Sequence, residues 1–197
     1  MFNWIIQGIG IIHDYDFNQK DQLEIRTKLN LSDCKIGSSI ACDGICLTLT
    51  NIRKSKDNYY FTTNISEETK IKSTTKYWDT NVKRINLEKP LKLNQEISGH
   101  FVYGHIDCIS ELVEIEELHT SWNMHFTYPS NDTKKFIVQK GSIAINGISL
   151  TIAKLLEHTF TVAIISHTYN QTNLSSLKLG DKVNLEFDML ARYIFNK

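Results

Sequence analysis

A run of ten residues recurs in this chain with three changes, and that repeat limits the fold more than any other feature. Displaced by 103 positions, Ser39-Ile40-Ala41-Cys42-Asp43-Gly44-Ile45-Cys46-Leu47-Thr48 lies over Ser142-Ile143-Ala144-Ile145-Asn146-Gly147-Ile148-Ser149-Leu150-Thr151. Seven of the ten positions are identical, and the differences are Cys42/Ile145, Asp43/Asn146 and Cys46/Ser149. A period of about a hundred residues is too long for a solenoid unit and fits two copies of one domain. The 197 residues are enough for two small cores. The expected division is 1–93, 94–187 and a tail, 188–197, with residues 90–94 as the linker.

Side chains alternate between the faces of a strand. Ile45, Leu47 and Leu49 therefore share one face, and Gly44, Cys46 and Thr48 the other. The second copy keeps the same division, with Ile148, Leu150 and Ile152 against Gly147, Ser149 and Thr151. Asp43-Gly44 and Asn146-Gly147 are hairpin-turn signals in front of each strand. The plain reading is a half-buried antiparallel strand. Two copies that both keep a small polar face also suit a surface that binds something.

Around the repeat, other short segments read as strands. Residues 1–6 resemble a first strand that bends at Gly8 and Gly10, and residues 98–107 take the equivalent place in the second half. Residues 23–26, 59–63 and 82–88 continue the first half, and 122–128, 160–164 and 183–186 the second. A short helix is expected within 67–77. Many short strands with turns between them predict a small barrel or sandwich in each half. In the tail, Asp188 can cap a helix in which Leu190/Ile194 and Met189/Tyr193 stack at i,i+4.

Charge removes one class of partner. Lys+Arg and Asp+Glu both number 22, so the basic face that nucleic-acid binding requires is not expected. No apolar run approaches a membrane span, and no export leader stands at the N-terminus, which makes a cytoplasmic location the expectation. Cys34, Cys42, Cys46 and Cys108 include no Cys-x-x-Cys pair, so free thiols are expected and a zinc or redox pair is not. His100 and His105, five apart, fall on opposite faces of a strand and should not chelate one metal.

Several marks stand in order along the chain: Met1-Phe2, Asp43-Gly44-x-Cys46-Leu47-Thr48, Gly99-His100-Phe101-x-x-Gly104-His105, Lys140-Gly141-Ser142, Asn146-Gly147-Ile148-Ser149-Leu150-Thr151 and Val183-Asn184-Leu185-Glu186-x-Asp188. With these the chain resembles the riboflavin synthases of the two-lumazine-binding-domain type over essentially its whole length. The resemblance implies an all-β fold of two tandem six-stranded Greek-key β-barrels related by internal duplication, plus a short C-terminal α-helix. It also implies a homotrimer, a functional association with lumazine synthase, and no metal or organic cofactor. The implied reaction exchanges a four-carbon unit between two molecules of 6,7-dimethyl-8-ribityllumazine, giving riboflavin and a ribitylamino-pyrimidine. The implied site lies between the N-terminal barrel of one subunit and the C-terminal barrel of its neighbour.

Carried over by position, the resemblance makes Ser39, Cys46, Leu47 and Thr48 ligand contacts of the first barrel, and Ser149, Leu150 and Thr151 of the second. Asn64, Ile65, Ser66, Glu67, Glu68 and Thr69, with Ala163, Ile164, Ile165, Ser166, His167 and Thr168, match strand ends that read the pyrimidinedione edge. Trp4, Ile5 and Ile6 match Gly104, His105 and Ile106 beside the ring; Lys140 is a further contact and Phe2 shapes the first pocket. His105 is the candidate proton carrier, since imidazole titrates near neutrality. Cys46, Ser149, Thr151 and Asp188 are the other catalytic candidates, Asp188 having a plain reading as a helix cap. Asn3-Trp4 departs from the family's Thr-Gly, and Lys83 stands where the second half has Asp181. The rival implication is a non-catalytic antenna protein of the same fold, a class that typically loses the polar residues of one barrel.

Overall fold

A computed structural model describes residues 1–3, 5–16, 21–78 and 84–195. Trp4 and Lys83 lie outside the described residues. In the first half, β1 (Gly8–Asp16), β2 (Gln22–Thr27), β3 (Ser39–Cys42), β4 (Ile45–Ser55), β5 (Asn58–Asn64) and β6 (Arg84–Glu88) close a barrel in the order β1-β2-β5-β4-β3-β6. In the second, β7 (Cys108–Glu117), β8 (Ser121–Thr127), β9 (Ser142–Ile145), β10 (Ile148–Leu155), β11 (Thr159–Ile165) and β12 (Lys182–Phe187) close another. Its ring β7-β8-β11-β10-β9-β12 has the same cyclic order, with a Greek-key crossing wherever non-consecutive strands pair.

The hairpin signals act as expected. Asp43 and Gly44 have φ of 46° and 81°, and Asn146 and Gly147 have 45° and 75°, the two positive values a tight primed turn needs. Ladder shifts between Leu49 and Asn51 and between Ile152 and Lys154 fall at corresponding places in the two copies. So do those between Ile12 and Asp14 and between Leu112 and Glu114. Bulges bend strands, and a six-stranded sheet must bend sharply to close. The alternating apolar residues face inward: Ile45, Leu47, Leu49 and Phe61 in one core, Ile148, Leu150, Ile152 and Phe160 in the other. Each such burial contributes about 1.5–3 kcal/mol.

After β5 comes α1 (Glu67–Lys72), capped by Ser66 Oγ, which accepts the Thr69 N–H at 3.2 Å. Acidic residues occupy its first turn and basic residues its last, complementing the helix dipole. A turn of 3-10 helix, Thr74–Tyr77, follows. The second half repeats this with α2 (Ser166–Gln171) and the turn Asn173–Ser176. The tail helix α3 (Met189–Phe195) places Phe195 edge-on to Phe136 at 6.4 Å and leaves Leu190, Tyr193 and Ile194 exposed.

The expectation of a strand over residues 1–6 is corrected. Apart from one antiparallel bridge, Phe2 to Val102, the first strand begins at Gly8. Two apolar residues of this segment find their packing outside the core of the first barrel. Phe2 packs with Val102, Ala41 and Ala144 between the barrels, and Ile6 packs on the core of the second barrel. Residues 102–107 do the reverse, with Ile106 packed on the first core. Each half thus sends its entry segment, here called a strap, across the other half.

A reciprocal polar network joins the barrels. Asn86 Nδ2 donates to the Asn146 carbonyl at 3.0 Å, and Asn184 Nδ2 donates to the Asp43 carbonyl at 2.9 Å. Asn86 Oδ1 accepts the Asn173 N–H, and Asn184 Oδ1 the Thr74 N–H, both at 2.7 Å. Asp43 Oδ1 and Asn146 Oδ1 accept the N–H groups of Asn86 and Asn184 at 2.7 and 2.8 Å. Contacts that return with the halves exchanged are the mark of a twofold relation.

Candidate functional site

Two cavities open at corresponding places on the two barrels. The first, about 390 Å³, is lined by Ile45 and Cys46 of β4, by Glu68, Thr69, Lys72 and Ser73 of the α1 region, by residues 104–107 and by Arg192 of α3. The second, about 280 Å³, is lined by Ile148 and Ser149 of β10, by His167, Thr168, Gln171 and Thr172 of the α2 region, and by Ile5, Ile6, Ser98 and Gly99. The equivalences follow the repeat: Cys46 with Ser149, Glu68 with His167, Thr69 with Thr168, Lys72 with Gln171. Each cavity is finished by the strap of the opposite half.

The strap over the first cavity approaches closely. Gly104 C=O accepts the Cys46 N–H at 2.9 Å, as a neighbouring strand would. A Cβ on Gly104 would stand 2.5 Å from Cys46 Cβ, and its φ of +84° also favours glycine. His105 follows on the exposed side, its ring stacked 6.3 Å from that of Tyr103. Two ion pairs line this cavity: Lys72 with Glu68 at 3.0 Å, and Arg192 with Asp107 at 2.5 Å. Burial pushes the Asp107 carboxyl up, against the Phe187 N–H and the Arg192 guanidinium that pull it down.

In the second cavity the lining hydroxyl of Ser149 is backed by a histidine instead. His100 Nδ1 lies 2.8 Å from Ser149 Oγ. Burial lowers the His100 pKa, with the Asp188 carboxylate opposing, so the ring is neutral at neutral pH. Asn3, the departure noted in the sequence, ties the rim: its Oδ1 accepts the Ser98 N–H at 2.8 Å and its Nδ2 donates to the Glu96 carbonyl at 2.8 Å.

The structure brings together Cys46, Glu68, Thr69, Gly104, His105 and Ile106 in one cavity, and Ile5, Ile6, Ser149, His167 and Thr168 in the other. Others fall outside both linings. Leu47, Ile65, Leu150 and Ile164 are core residues, and Phe2 sits between the barrels. Ser39 pairs with Thr48 across the first hairpin, and Thr151 with Ser142 across the second. Asn64 pairs with Gln22 in the sheet, and Ala163 and Ile165 pair with Asn123 and Ser121. Ser66 caps α1, Glu67 binds Lys70, Ser166 Oγ donates to the Thr120 carbonyl, and Lys140 forms a turn with φ of +65°. Asp188 caps α3, its Oδ1 accepting the Leu190 N–H at 2.9 Å.

Sequence reasoning missed Lys72, Asp107, Arg192 and Gln171, which no strand pattern marks, and it gave His100 no partner. The Gly99-His100 and Gly104-His105 echo was the available signal for His100. Among the described residues no group of His, Cys, Asp and Glu could hold a metal. The four cysteines are free. Burial holds the Cys42 thiol well above its ordinary range and pushes Cys108 up to about 12.

The family profile named "Lumazine binding domain" matches this chain twice, over residues 4–90 and 103–188. The riboflavin synthase of Bacillus subtilis is 36% identical over 99% of this chain and 88% of its own length. Riboflavin synthase of Brucella abortus is 36% identical over 98% of this chain and 96% of its own. The chain belongs to the riboflavin synthase family. Each matched repeat of the family runs from a strap to the last strand of the barrel behind it, so a strap and the cavity it covers belong to different repeats. Among solved structures, LumP complexed with riboflavin superposes with a TM-score of 0.80 at 24% identity, covering 95% of this chain and 99% of its own. LumP complexed with 6,7-dimethyl-8-(1'-D-ribityl) lumazine gives 0.78 at 23%, covering 94% and 98%, and both share the two-barrel fold. No described helix is long and apolar enough to cross a membrane.

Proposed function

We propose that this chain is a riboflavin synthase that transfers a four-carbon unit between two molecules of 6,7-dimethyl-8-ribityllumazine. The products, riboflavin and 5-amino-6-(ribitylamino)uracil, together hold every atom and electron of the two substrates, so the stoichiometry calls for no co-reactant. The observation that carries this reading is the doubled cavity, with polar side chains in the lining of both copies. Two equivalent cups suit a reaction whose two substrates are the same molecule, and an antenna needs only one.

The chemistry asks for position and proton handling. The lumazine 7-methyl group is acidic because its anion spreads into the ring. Holding two flat rings in register can supply about 7–11 kcal/mol of the barrier. His105, on the strap beside Cys46, is placed to carry the proton in the first cavity. In the second, neutral His100 orients the Ser149 hydroxyl. Among the described residues the two cavities share no lining residue, which supports a reading in which the two rings meet across a subunit boundary. A homotrimer follows from the family resemblance, and the exposed apolar side of α3 offers surface for it.

Incubation of the purified protein with 6,7-dimethyl-8-ribityllumazine alone tests the reading. Riboflavin fluorescence should grow with turnover. A stable, shifted lumazine spectrum would instead mark an antenna protein, and an unchanged spectrum would exclude both.

A further inference from the structure

Glu186 of β12 has no task in that chemistry, yet it is only 2% exposed. Its Oε1 accepts the Tyr103 N–H at 2.8 Å, and its Oε2 accepts the N–H groups of Gly104 at 2.9 Å and His105 at 3.0 Å. Three successive amides converge on one carboxylate because Gly104, at φ +84°, turns the chain into an anion-binding nest. On its other side the same glycine bonds Cys46 of the first barrel. The strap is therefore pinned between a carboxylate of the second barrel and the ligand strand of the first. Glu88 of β6 repeats the device: it is 1% exposed, and its Oε1 accepts the Asn3 N–H at 2.6 Å, at the head of the strap that leads to the second cavity.

We propose that Glu186 and Glu88 are positioning residues, each carboxylate on one barrel clasping the strap that shapes the ligand cavity of the other. A carboxylate is the fitting group, since it has two acceptor oxygens and no donor, and charge-assisted bonds are roughly twice as strong as neutral ones. Glutamine in its place turns an NH2 group toward an N–H. Burial pushes the Glu186 carboxyl up to about 7 against those three N–H groups, with Asp107, itself held by Arg192, adding to the rise. The clasp itself is independent of which ligand fills the cavity; only its use in turnover rests on the synthase reading.

Glu186→Gln tests the clasp, read by amide hydrogen exchange and by the alkylation rate of Cys46 with iodoacetamide. Exchange at Tyr103, Gly104 and His105 should quicken at least tenfold, and Cys46 should react faster, while the Asn3 amide keeps its rate. Glu88→Gln should loosen the Asn3 amide and leave 103–105 alone. Wild-type rates at 103–105 in folded Glu186→Gln, or equal loosening of both straps, would overturn the proposal. A second measurement needs no variant: in the wild-type protein the amides of Tyr103, Gly104 and His105 should all exchange slowly, as amides held by the Glu186 carboxylate do. Exchange at all three as fast as in an unfolded chain would overturn the clasp. Clasp behaviour in a protein that makes no flavin supports the clasp and counts against the synthase reading alone.

Discussion

Asn184→Leu strips out a side chain by which the second barrel grips the first, keeping the same branching of heavy atoms. Asn184 is 0% exposed, its Oδ1 accepts the Thr74 N–H at 2.7 Å, and its Nδ2 donates to the Asp43 carbonyl at 2.9 Å. Thr74 and Asp43 are themselves buried, at 1% and 0%. Leucine leaves that N–H and that carbonyl without partners, and its bulk keeps water from replacing the amide. Each polar group stranded in this way costs about 1–3 kcal/mol, so the substitution should cost about 2–6 kcal/mol. Against a total of about 5–15 kcal/mol for a domain, this is a large fraction. Because the lost bonds run between barrels, urea unfolding followed by circular dichroism and tryptophan fluorescence should separate into two transitions. Asn86→Leu strands the Asn173 N–H and the Asn146 carbonyl and should do the same. The double variant should lose less than the sum, since the first substitution already frees the interface. A loss below about 1 kcal/mol for Asn184→Leu, set against that 1–3 kcal/mol per group, would refute the view that this network couples the barrels.

Other consequences are open to equally direct measurement. Gly104→Ala must move the strap, because the new Cβ would stand 2.5 Å from Cys46 Cβ; lumazine affinity should fall at least tenfold by fluorescence titration, and an unchanged affinity would remove the strap from the site. Ser149→Ala leaves His100 Nδ1 without its 2.8 Å partner; turnover should fall more than lumazine affinity for the first barrel, and equal losses would reject its assigned role. The Glu186 carboxyl is held at about 7 rather than 4.5, so between these values the native protein keeps a proton that the unfolded chain has released. Its contribution to stability is full below about pH 4.5 and is lost as pH rises through about 7; denaturant titrations of Glu186→Gln should lack that fall, and an identical pH slope would contradict it.

Much of the architecture was legible because it rests on local rules applied twice. The turns at Asp43-Gly44 and Asn146-Gly147 need positive φ, and the alternation in β4 and β10 tells which side chains face inward. What failed to show was partnership. Phe2 and Ile6 have the apolar character of a strand, but Phe2 is buried between the barrels and Ile6 packs on the core of the opposite one, which no local pattern reveals. Asp43 and Asn146 read as turn formers, and their side chains also accept N–H groups at the centre of the molecule. Comparison of the copies held the hint: where Asp and Asn interchange, a hydrogen-bond acceptor survives while the charge does not. His100 and His105 lie before β7 and not in a strand, so strand alternation does not govern them: His105 lines the first cavity, and His100 is bonded to Ser149, which lines the second. Arg192 was hidden because a tail helix says nothing of which barrel its side chain will reach.

Duplication gives two equal cups, and under the proposed reaction the two substrates must end unequal, one losing the four-carbon unit that the other gains. The cups differ where such a distinction can act. Glu68 and Lys72 form an ion pair in the first cavity, and His167 and Gln171 at the equivalent places form none that could serve as its counterpart. Asp107 and Arg192 add a second pair on the same side, contributed by the far end of the chain. Paired charges in a partly enclosed cavity can lean toward a ring that becomes an anion, and fixed charges stabilise such a change more than neutral groups do. The second cavity offers the Ser149 hydroxyl, backed by the neutral His100 imidazole behind it, a pair that holds no fixed charge. The straps then make this inequality a property of the whole molecule, because each cup is finished by a segment that the other barrel holds in place.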